Sequence, residues 1–105
     1  MPGLLAPAGL ILIMDRITSL ATFVKVVDCG GFAAAARALE VSPSSVTVHV
    51  RTIEERLGVR LLNRSTRKIS LTEVGPAYYQ RCVQILGDLE DADQVALAMQ
   101  SKARG

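Results

Sequence analysis

The chain has 105 residues, of which 50% are hydrophobic, 21% are charged and only 4% are aromatic. This length fits a single domain and excludes a TIM barrel or a two-halved dinucleotide-binding fold, and the shortage of aromatic residues favours helices over a β-sandwich. The net charge is only +2, but residues 15–72 carry nine basic and five acidic side chains, whereas residues 73–105 carry three and five. This uneven charge suggests that a polyanion binds the first segment and not the second. The alternative interpretation is that these charges belong to an ordinary solvated surface.

Residues 1–13 form an apolar leader that is interrupted by two prolines and two glycines. It is shorter than the roughly 20 apolar residues that a bilayer span requires. It also lacks the basic start of a secretory signal. We expect this leader to have no folded structure. Because a helical pattern begins directly after it, Met14 is a candidate for the start of the native protein.

Two helices are predicted before residue 40. The first starts at Asp15, a candidate N-cap, and carries apolar residues at helical spacing. Those residues are Ile17, Leu20, Phe23, Val24 and Val27. The pair Gly30-Gly31 ends this helix, since glycine is favoured directly after a helix. The second helix, over 32–39, is rich in alanine, which has high helix propensity and lets another helix approach closely.

The third predicted helix begins at Ser42-Pro43, because serine is a preferred N-cap and proline fits the first helical position. It ends at Gly58. Its apolar stripe comprises Val46, Val50, Ile53 and Leu57, at steps of four, three and four. The opposite side is small or polar apart from one valine, and it comprises Ser44, Ser45, Thr47, Val48, His49, Arg51 and Thr52.

After Gly58 the pattern changes to the alternation that is typical of strands, which predicts two short strands over 59–63 and 68–72. The basic segment 64–67 joins them in a β-hairpin. Thr72 is the candidate cap of a last helix. That helix carries a heptad pattern over about three heptads, and its tail at 101–105 is expected to fray. The heptad residues are Tyr78, Cys82, Ile85, Leu89, Ala92, Ala96 and Met99.

The second and third helices, joined by a tight turn, fit a helix-turn-helix, and the hairpin after them makes it winged. In this motif the first helix lies across the phosphate backbone and the second enters the major groove. The turn lacks glycine, since Glu40 occupies it. The sequence therefore predicts a mostly α fold, with a winged helix-turn-helix over 14–72 and a long linker or dimerisation helix over 73–100.

Residues 14 to 99 resemble the N-terminal DNA-binding domain of LysR-type bacterial transcriptional regulators. The matching segments are LATFVKVV at 20–27, GFAAAARAL at 31–39, RTIEERLGVRLL at 51–62 and LTEVG at 71–75, with Val41, Ser42, Val46 and Arg64 between them. The resemblance implies sequence-specific binding to double-stranded DNA by a homodimer, or a tetramer in a full-length protein, in the bacterial cytoplasm. It also implies a ligand-sensing domain that these 105 residues lack, so we expect a fragment or a truncated protein.

The resemblance assigns roles to the polar face of the third helix and to the wing. Base reading is expected from Ser44, Ser45, Thr47, Val48, His49 and Arg51. Contacts to phosphates or the minor groove are expected from Ser42, Thr52, Arg64, Thr66, Arg67 and Lys68. The heptad series is the predicted dimer seam, with packing against the first helix as the alternative. Ala33 stands where the family usually has serine or threonine, so one phosphate contact and helix cap that the resemblance implies is missing. The family's usual glutamine and arginine base-readers are missing as well, so Val48 is a candidate to contact a thymine methyl instead.

No catalytic or metal-binding pattern is found in the sequence, and the lone histidine has no partner at ligand spacing. We therefore expect no enzymatic activity, no cofactor or metal, no small-molecule ligand and no membrane association. Cys29 and Cys82 are expected to be reduced thiols, because two distant cysteines do not make a disulfide scaffold. The alternative function is a protein-interaction module that dimerises through the heptad helix and modulates a full-length regulator.

Overall fold

The computed structural model describes residues 7–65 and 68–104, which form four helices and a two-stranded sheet. The helices are α1 (Pro7–Cys29), α2 (Phe32–Leu39), α3 (Pro43–Leu57) and α4 (Gly75–Arg104). The strands, β1 (Leu62–Arg64) and β2 (Ile69–Leu71), lie between α3 and α4. This is the predicted arrangement of a winged helix-turn-helix followed by a long helix.

Helix α1 begins eight residues earlier than predicted, at Pro7. Asp15 is therefore inside the helix and is not its N-cap, and the expectation of an unfolded leader is wrong for residues 7–13. The physical reason is that proline is tolerated in the first turn and the following leucine and isoleucine residues are compatible with a helix, which outweighs one glycine at a cost of about 1 kcal/mol. Residues 1–6 lie outside the described residues, and Met14 as the native start stays a prediction.

Glycine and serine signals set the predicted boundaries around α2 and α3. Gly30 has a φ of 80° and its N–H bonds to the Val26 carbonyl oxygen, which ends α1. The Ser42 hydroxyl accepts the N–H of Ser45 at 3.2 Å, so Ser42 is the N-cap of α3 as predicted. Gly58, with a φ of 71°, ends α3. Glu40 takes the left-handed conformation in the turn, with a φ of 59°, where glycine is the commoner residue.

The core lies where α1, α2, α3 and the start of α4 meet. Phe23 and Val26 of α1 are fully buried, and so are the predicted stripe residues Val46, Val50 and Ile53 of α3. The stripe ends earlier than predicted, because Leu57 in the last turn of α3 is 39% exposed. Ala35 and Ala36 of α2 are buried as well, so the close approach expected of the alanine run is confirmed.

The two strands pair antiparallel, with Leu62 opposite Leu71 and Arg64 opposite Ile69. They are shorter than predicted, since residues 59–61 are not in a strand. The reason is that Leu61 turns into the core and its N–H is taken by the Glu54 side chain. Arg64, predicted in the turn, is instead the last residue of β1.

Helix α4 starts at Gly75, whose backbone lies close to the backbone of Leu61. A Cβ at Gly75 would lie 2.8 Å from the Leu61 carbonyl oxygen. Thr72 does not cap α4 as predicted, because the helix begins only at Gly75. The Thr72 hydroxyl donates to the Arg60 carbonyl oxygen at 2.7 Å. The helix continues through Arg104, so the expected fraying of the tail does not hold for residues 101–104.

No single helix in the described part of the chain is long and apolar enough to cross a membrane. One pair, Asp15–Cys29 with Phe32–Leu39, reaches the length and composition of a span only together, and it is bent by 119°.

Candidate nucleic-acid interface

One face of α3 points away from the core and is available to a partner. Val48 on this face is 55% exposed, and Ser44, Arg51 and Thr52 are exposed too. Thr47 and Ser45, at its margins, are partly buried. Five of the six predicted base-reading residues thus share one surface, which is made of small side chains and one arginine.

The threonine hydroxyls of this face are already engaged with the helix backbone. Thr47 donates its hydroxyl proton to the Pro43 carbonyl oxygen at 3.1 Å, and Thr52 donates to the Val48 carbonyl oxygen at 2.8 Å. Each hydroxyl oxygen can still accept a hydrogen bond, but its O–H group already donates to a backbone carbonyl oxygen. In this conformation Thr52 is therefore suited to accept a hydrogen bond and not to donate one to a phosphate.

His49 lies at the side of this face, toward α1. Its Nδ1 is 2.9 Å from the hydroxyl oxygen of Ser19, a residue of α1 that is only 4% exposed. His49 is partly buried. The bond fixes the ring against α1, so His49 orients α3 in addition to any contact with a ligand. Sequence patterns did not indicate Ser19, because a bond between residues thirty positions apart leaves no local signal.

A buried carboxylate connects α3 to the wing. Glu54 is 6% exposed, and its Oε2 accepts the N–H of Leu61 at 2.8 Å and of Leu62 at 3.3 Å. Its Oε1 accepts from Arg64 Nη2 at 3.0 Å. A buried charge is tolerated only when it is paired and hydrogen-bonded in this way. Glu54 was missed in the sequence, although its position four residues after Val50 places it beside the buried stripe.

The Arg64 side chain is partly exposed and is paired with other residues of the domain. Its guanidinium pairs with Glu54 and lies 5.1 Å from the centroid of the Phe32 ring, and only 29% of its side chain is exposed. Such stacking adds a cation–π attraction to the ion pair. The Arg64 side chain therefore supports the wing, and its predicted contact to a phosphate or the minor groove stays a prediction.

The described part of the wing tip carries one of the predicted cations. Lys68 is exposed, and its backbone is fixed by Ser65, whose hydroxyl donates to the Lys68 carbonyl oxygen at 2.8 Å. Thr66 and Arg67, also predicted to contact DNA, lie outside the described residues. Ser42 is exposed but is occupied as the cap of α3.

A family comparison agrees with this geometry. The family described as bacterial regulatory helix-turn-helix protein, lysR family, matches residues 17–76. The chain belongs to the lysR family. An HTH-type transcriptional repressor of Pseudomonas aeruginosa is 48% identical over 80 residues, which are 76% of this chain and 25% of that protein.

Other relatives extend the similarity. The HTH-type transcriptional activator AaeR of Escherichia coli is 44% identical over 92 residues, covering 88% of this chain and 30% of AaeR. A solved complex of the CbnR DNA-binding domain with DNA matches with a TM-score of 0.74 and 35% identity, over 79% of this chain and 95% of that one. This lysR-family chain thus spans 25% and 30% of the length of these two curated relatives.

The predicted dimer seam divides into two parts in this lysR-family chain. Tyr78 packs on Phe23, with ring centroids 5.7 Å apart, and Cys82 is 1% exposed, so both belong to the core. Burial raises the pKa of Tyr78 and of the Cys82 thiol. The remaining seam residues are on the surface: Ile85, Leu89, Ala92, Ala96 and Met99. Only this second part is free to meet a partner.

The same helix exposes further apolar residues that the heptad pattern did not include. Val95 is 60% exposed and Leu97 is 56% exposed, beside Met99 at 69%.

Within the described residues, no group of three or more potential metal ligands is found.

Proposed function

We propose that this chain binds double-stranded DNA in a sequence-specific way, as the DNA-binding part of a LysR-type transcriptional regulator. The exposed face of α3 carries the proposal: Val48 is 55% exposed on one side of the helix while Val46 and Val50 are fully buried on the other. The buried valines keep the helix packed on the domain while its exposed face enters a major groove. Family membership and the likeness to a DNA-bound domain support the proposal.

Base reading is assigned to the first half of α3, because the N-terminal residues of a recognition helix meet base edges. Ser44 and Ser45 can donate to or accept from bases, and the methyl groups of Val48 can contact a thymine methyl. Thr47 is placed to accept a bond. His49 stays in this set at its margin, since its ring is also bonded to Ser19.

Contacts to the DNA backbone are assigned to the residues on either side of the exposed face of α3. Lys68 on the wing is exposed, and Thr66 and Arg67, which precede it in the sequence, complete the predicted group. Ser42 and Thr52 lie beside the exposed face of α3, and Thr52 can donate to a phosphate only if its hydroxyl leaves the Val48 carbonyl oxygen. Neutralised phosphates release counterions, so binding must weaken with salt, with a slope of about 0.9 per phosphate in a double-logarithmic plot.

Dimerisation is assigned to the exposed part of α4, where Leu89 is 46% exposed and Leu97 and Met99 follow. A dimer with two-fold symmetry requires a pseudo-palindromic site, with half-sites about 34–36 Å apart or a multiple of this distance. The function belongs in the bacterial cytoplasm, where the nucleoid is accessible, and it involves no catalysis.

Selection of bound sequences from a random DNA pool, followed by sizing of the complex, tests the proposal. Enrichment of one inverted repeat, bound by two chains, is the expected result. A pool that remains random after repeated rounds would contradict sequence-specific binding. Recovery of a single half-site bound by one chain would contradict only the dimer.

The exposed apolar surface of α4 also supports a second function, in which the chain forms mixed dimers with a full-length regulator. A gel-shift assay and a pull-down of such a regulator separate the two. Capture of the regulator by a chain that shifts no DNA would favour the second function.

A further inference from the structure

A shallow depression of about 330 Å³ lies beside the second half of α3. Three arginines line it, Arg51, Arg60 and Arg64, together with Glu54 and Glu55. The lining thus includes three basic and two acidic residues, and the carboxylate of Glu54 is already bonded to two backbone N–H groups and to Arg64. The depression therefore carries an excess of positive charge next to the exposed face of α3.

Two contacts position Arg60, one at its backbone carbonyl group and one at the Nε atom of its guanidinium group. The Thr72 hydroxyl donates to its carbonyl oxygen at 2.7 Å, and its Nε lies 3.5 Å from Glu54 Oε2. The side chain is nevertheless 62% exposed. Within the described residues its terminal nitrogens have no hydrogen-bond partner. A guanidinium group fixed at one edge and open at the other is well suited to a phosphate, which it binds through two parallel bonds.

Arg51 reaches the same depression from α3. It follows Val48 by three positions and Ser44 by seven, which places all three residues on one face of the helix. Within the described residues it has no ionic partner. Because the first turns of a recognition helix meet the bases, the later turns lie nearer to the strand that borders the groove.

We propose that Arg51 and Arg60 together bind one phosphate group of the DNA backbone, a site that rests on the DNA-binding function proposed above. This assigns Arg51 to the backbone and not to a base, and it gives a role to Arg60, for which the sequence pattern indicated none. Arg64 contributes charge to the site but stays bound to Glu54 and stacked on Phe32.

The test measures how DNA affinity of the full chain depends on salt, between roughly 50 and 200 mM, with a duplex of random sequence. Phosphate contacts are independent of sequence, so no operator is needed. Because the two arginines share one phosphate, Arg51→Gln, Arg60→Gln and the double variant are each expected to reduce the salt slope, by no more than about 0.9, the value for one phosphate. They should weaken binding equally for all sequences. A loss of about twice this value of the slope in the double variant would indicate two separate phosphates and contradict the shared site.

Arg56→Gln is the matched control, because it removes the same charge from α3 at an exposed residue that does not line the depression. Its salt slope should equal that of the unaltered chain. Arg60→Lys should keep the slope, since the charge remains. Glu55→Gln should strengthen binding, because it removes a negative charge from the depression.

Two other results would overturn the site. One is an unchanged slope in folded Arg60→Gln, with folding checked by thermal unfolding. The other is a slope that falls equally in Arg56→Gln, which would show an effect of net charge alone. If the unaltered chain binds no duplex at all, the proposed function fails and the site fails with it. If it binds and only the Arg51 and Arg60 results disagree, the site alone is wrong.

Discussion

The side chain of Glu54 in α3 accepts the backbone N–H of Leu61 at 2.8 Å, seven residues further along the chain. The same carboxylate accepts from Arg64, the last residue of β1. One buried residue therefore fixes both the segment that leads into the wing and the strand that begins it. The recognition helix and the wing are coupled through this carboxylate.

Glu54→Ala should destabilise the fold by about 3 kcal/mol, because two backbone N–H groups and a partly buried arginine lose their partner. Glu54→Gln should cost less, since an amide oxygen in place of Oε2 can still accept both backbone N–H groups and only the bond from Arg64 is lost. Urea unfolding, followed by circular dichroism, measures both values. Glu55→Gln is the control, as Glu55 is exposed and its replacement should change the free energy of unfolding by less than about 0.5 kcal/mol. Equal stability of Glu54→Ala and Glu55→Gln would contradict this role.

The two ends of α3 follow from local sequence signals, whereas the start of β1 depends on a contact between distant residues. Ser42, Pro43 and Gly58 define α3 through their own backbone and side-chain preferences, so its ends were found from the sequence. The start of β1 was misplaced, because Glu54 determines where residues 59–61 run.

The same division holds for the candidate site. The exposed face of α3 was predictable from helical spacing, since Ser44, Val48 and Arg51 are three or four residues apart. The contacts of Arg64 with Phe32 and of His49 with Ser19 were not, because the partners lie about thirty residues apart in the chain. Charge and polarity suggested free side chains at both positions, whereas tertiary contacts engage both.

Gly75→Ala should destabilise the domain, although alanine has the higher helix propensity. The added Cβ would lie 2.8 Å from the Leu61 carbonyl oxygen and from Leu71, and a backbone atom cannot move away cheaply. We expect a cost of about 1–3 kcal/mol, as for overpacking. Gly87→Ala in the same helix meets nothing within 4 Å and should stabilise by about 0.5–1 kcal/mol. Thermal unfolding of both variants gives the comparison, and a shift of the same sign in both would contradict the close contact.

The two cysteines should differ sharply toward a thiol reagent in the native chain. Cys29 is exposed, whereas Cys82 is 1% exposed and its burial raises the pKa of its thiol. Since the thiolate is the reactive form, Cys82 should be labelled only when the domain opens. Mass spectrometry after timed alkylation, with and without denaturant, measures the two rates. Rapid labelling of Cys82 in native Cys29→Ser would show that the start of α4 does not pack as described.

Stability should fall as the pH rises above the ordinary tyrosine pKa of 10.0. Burial raises the pKa of Tyr78, and the hydrogen bond to Asp28 raises that of Tyr79. The unfolded chain therefore loses these protons first, and each further rise in pH favours unfolding until the folded groups ionise too. Urea unfolding at a series of alkaline pH values measures the decline. Tyr79→Phe should reduce it, and an unchanged pH dependence in this variant would exclude the Asp28 bond as a contributor.

Val48 should read a thymine through its methyl groups, because it is the large apolar side chain exposed on the reading face of α3, at 55%. With the duplex obtained by selection, replacing single thymines by uracil removes one methyl group at a time. One such replacement should weaken binding of the unaltered chain by about 1 kcal/mol or more. Val48→Ala should lose this sensitivity while keeping its salt slope, since no phosphate contact changes. If no uracil position affects the unaltered chain, or if Val48→Ala remains equally sensitive, the contact is not made by Val48.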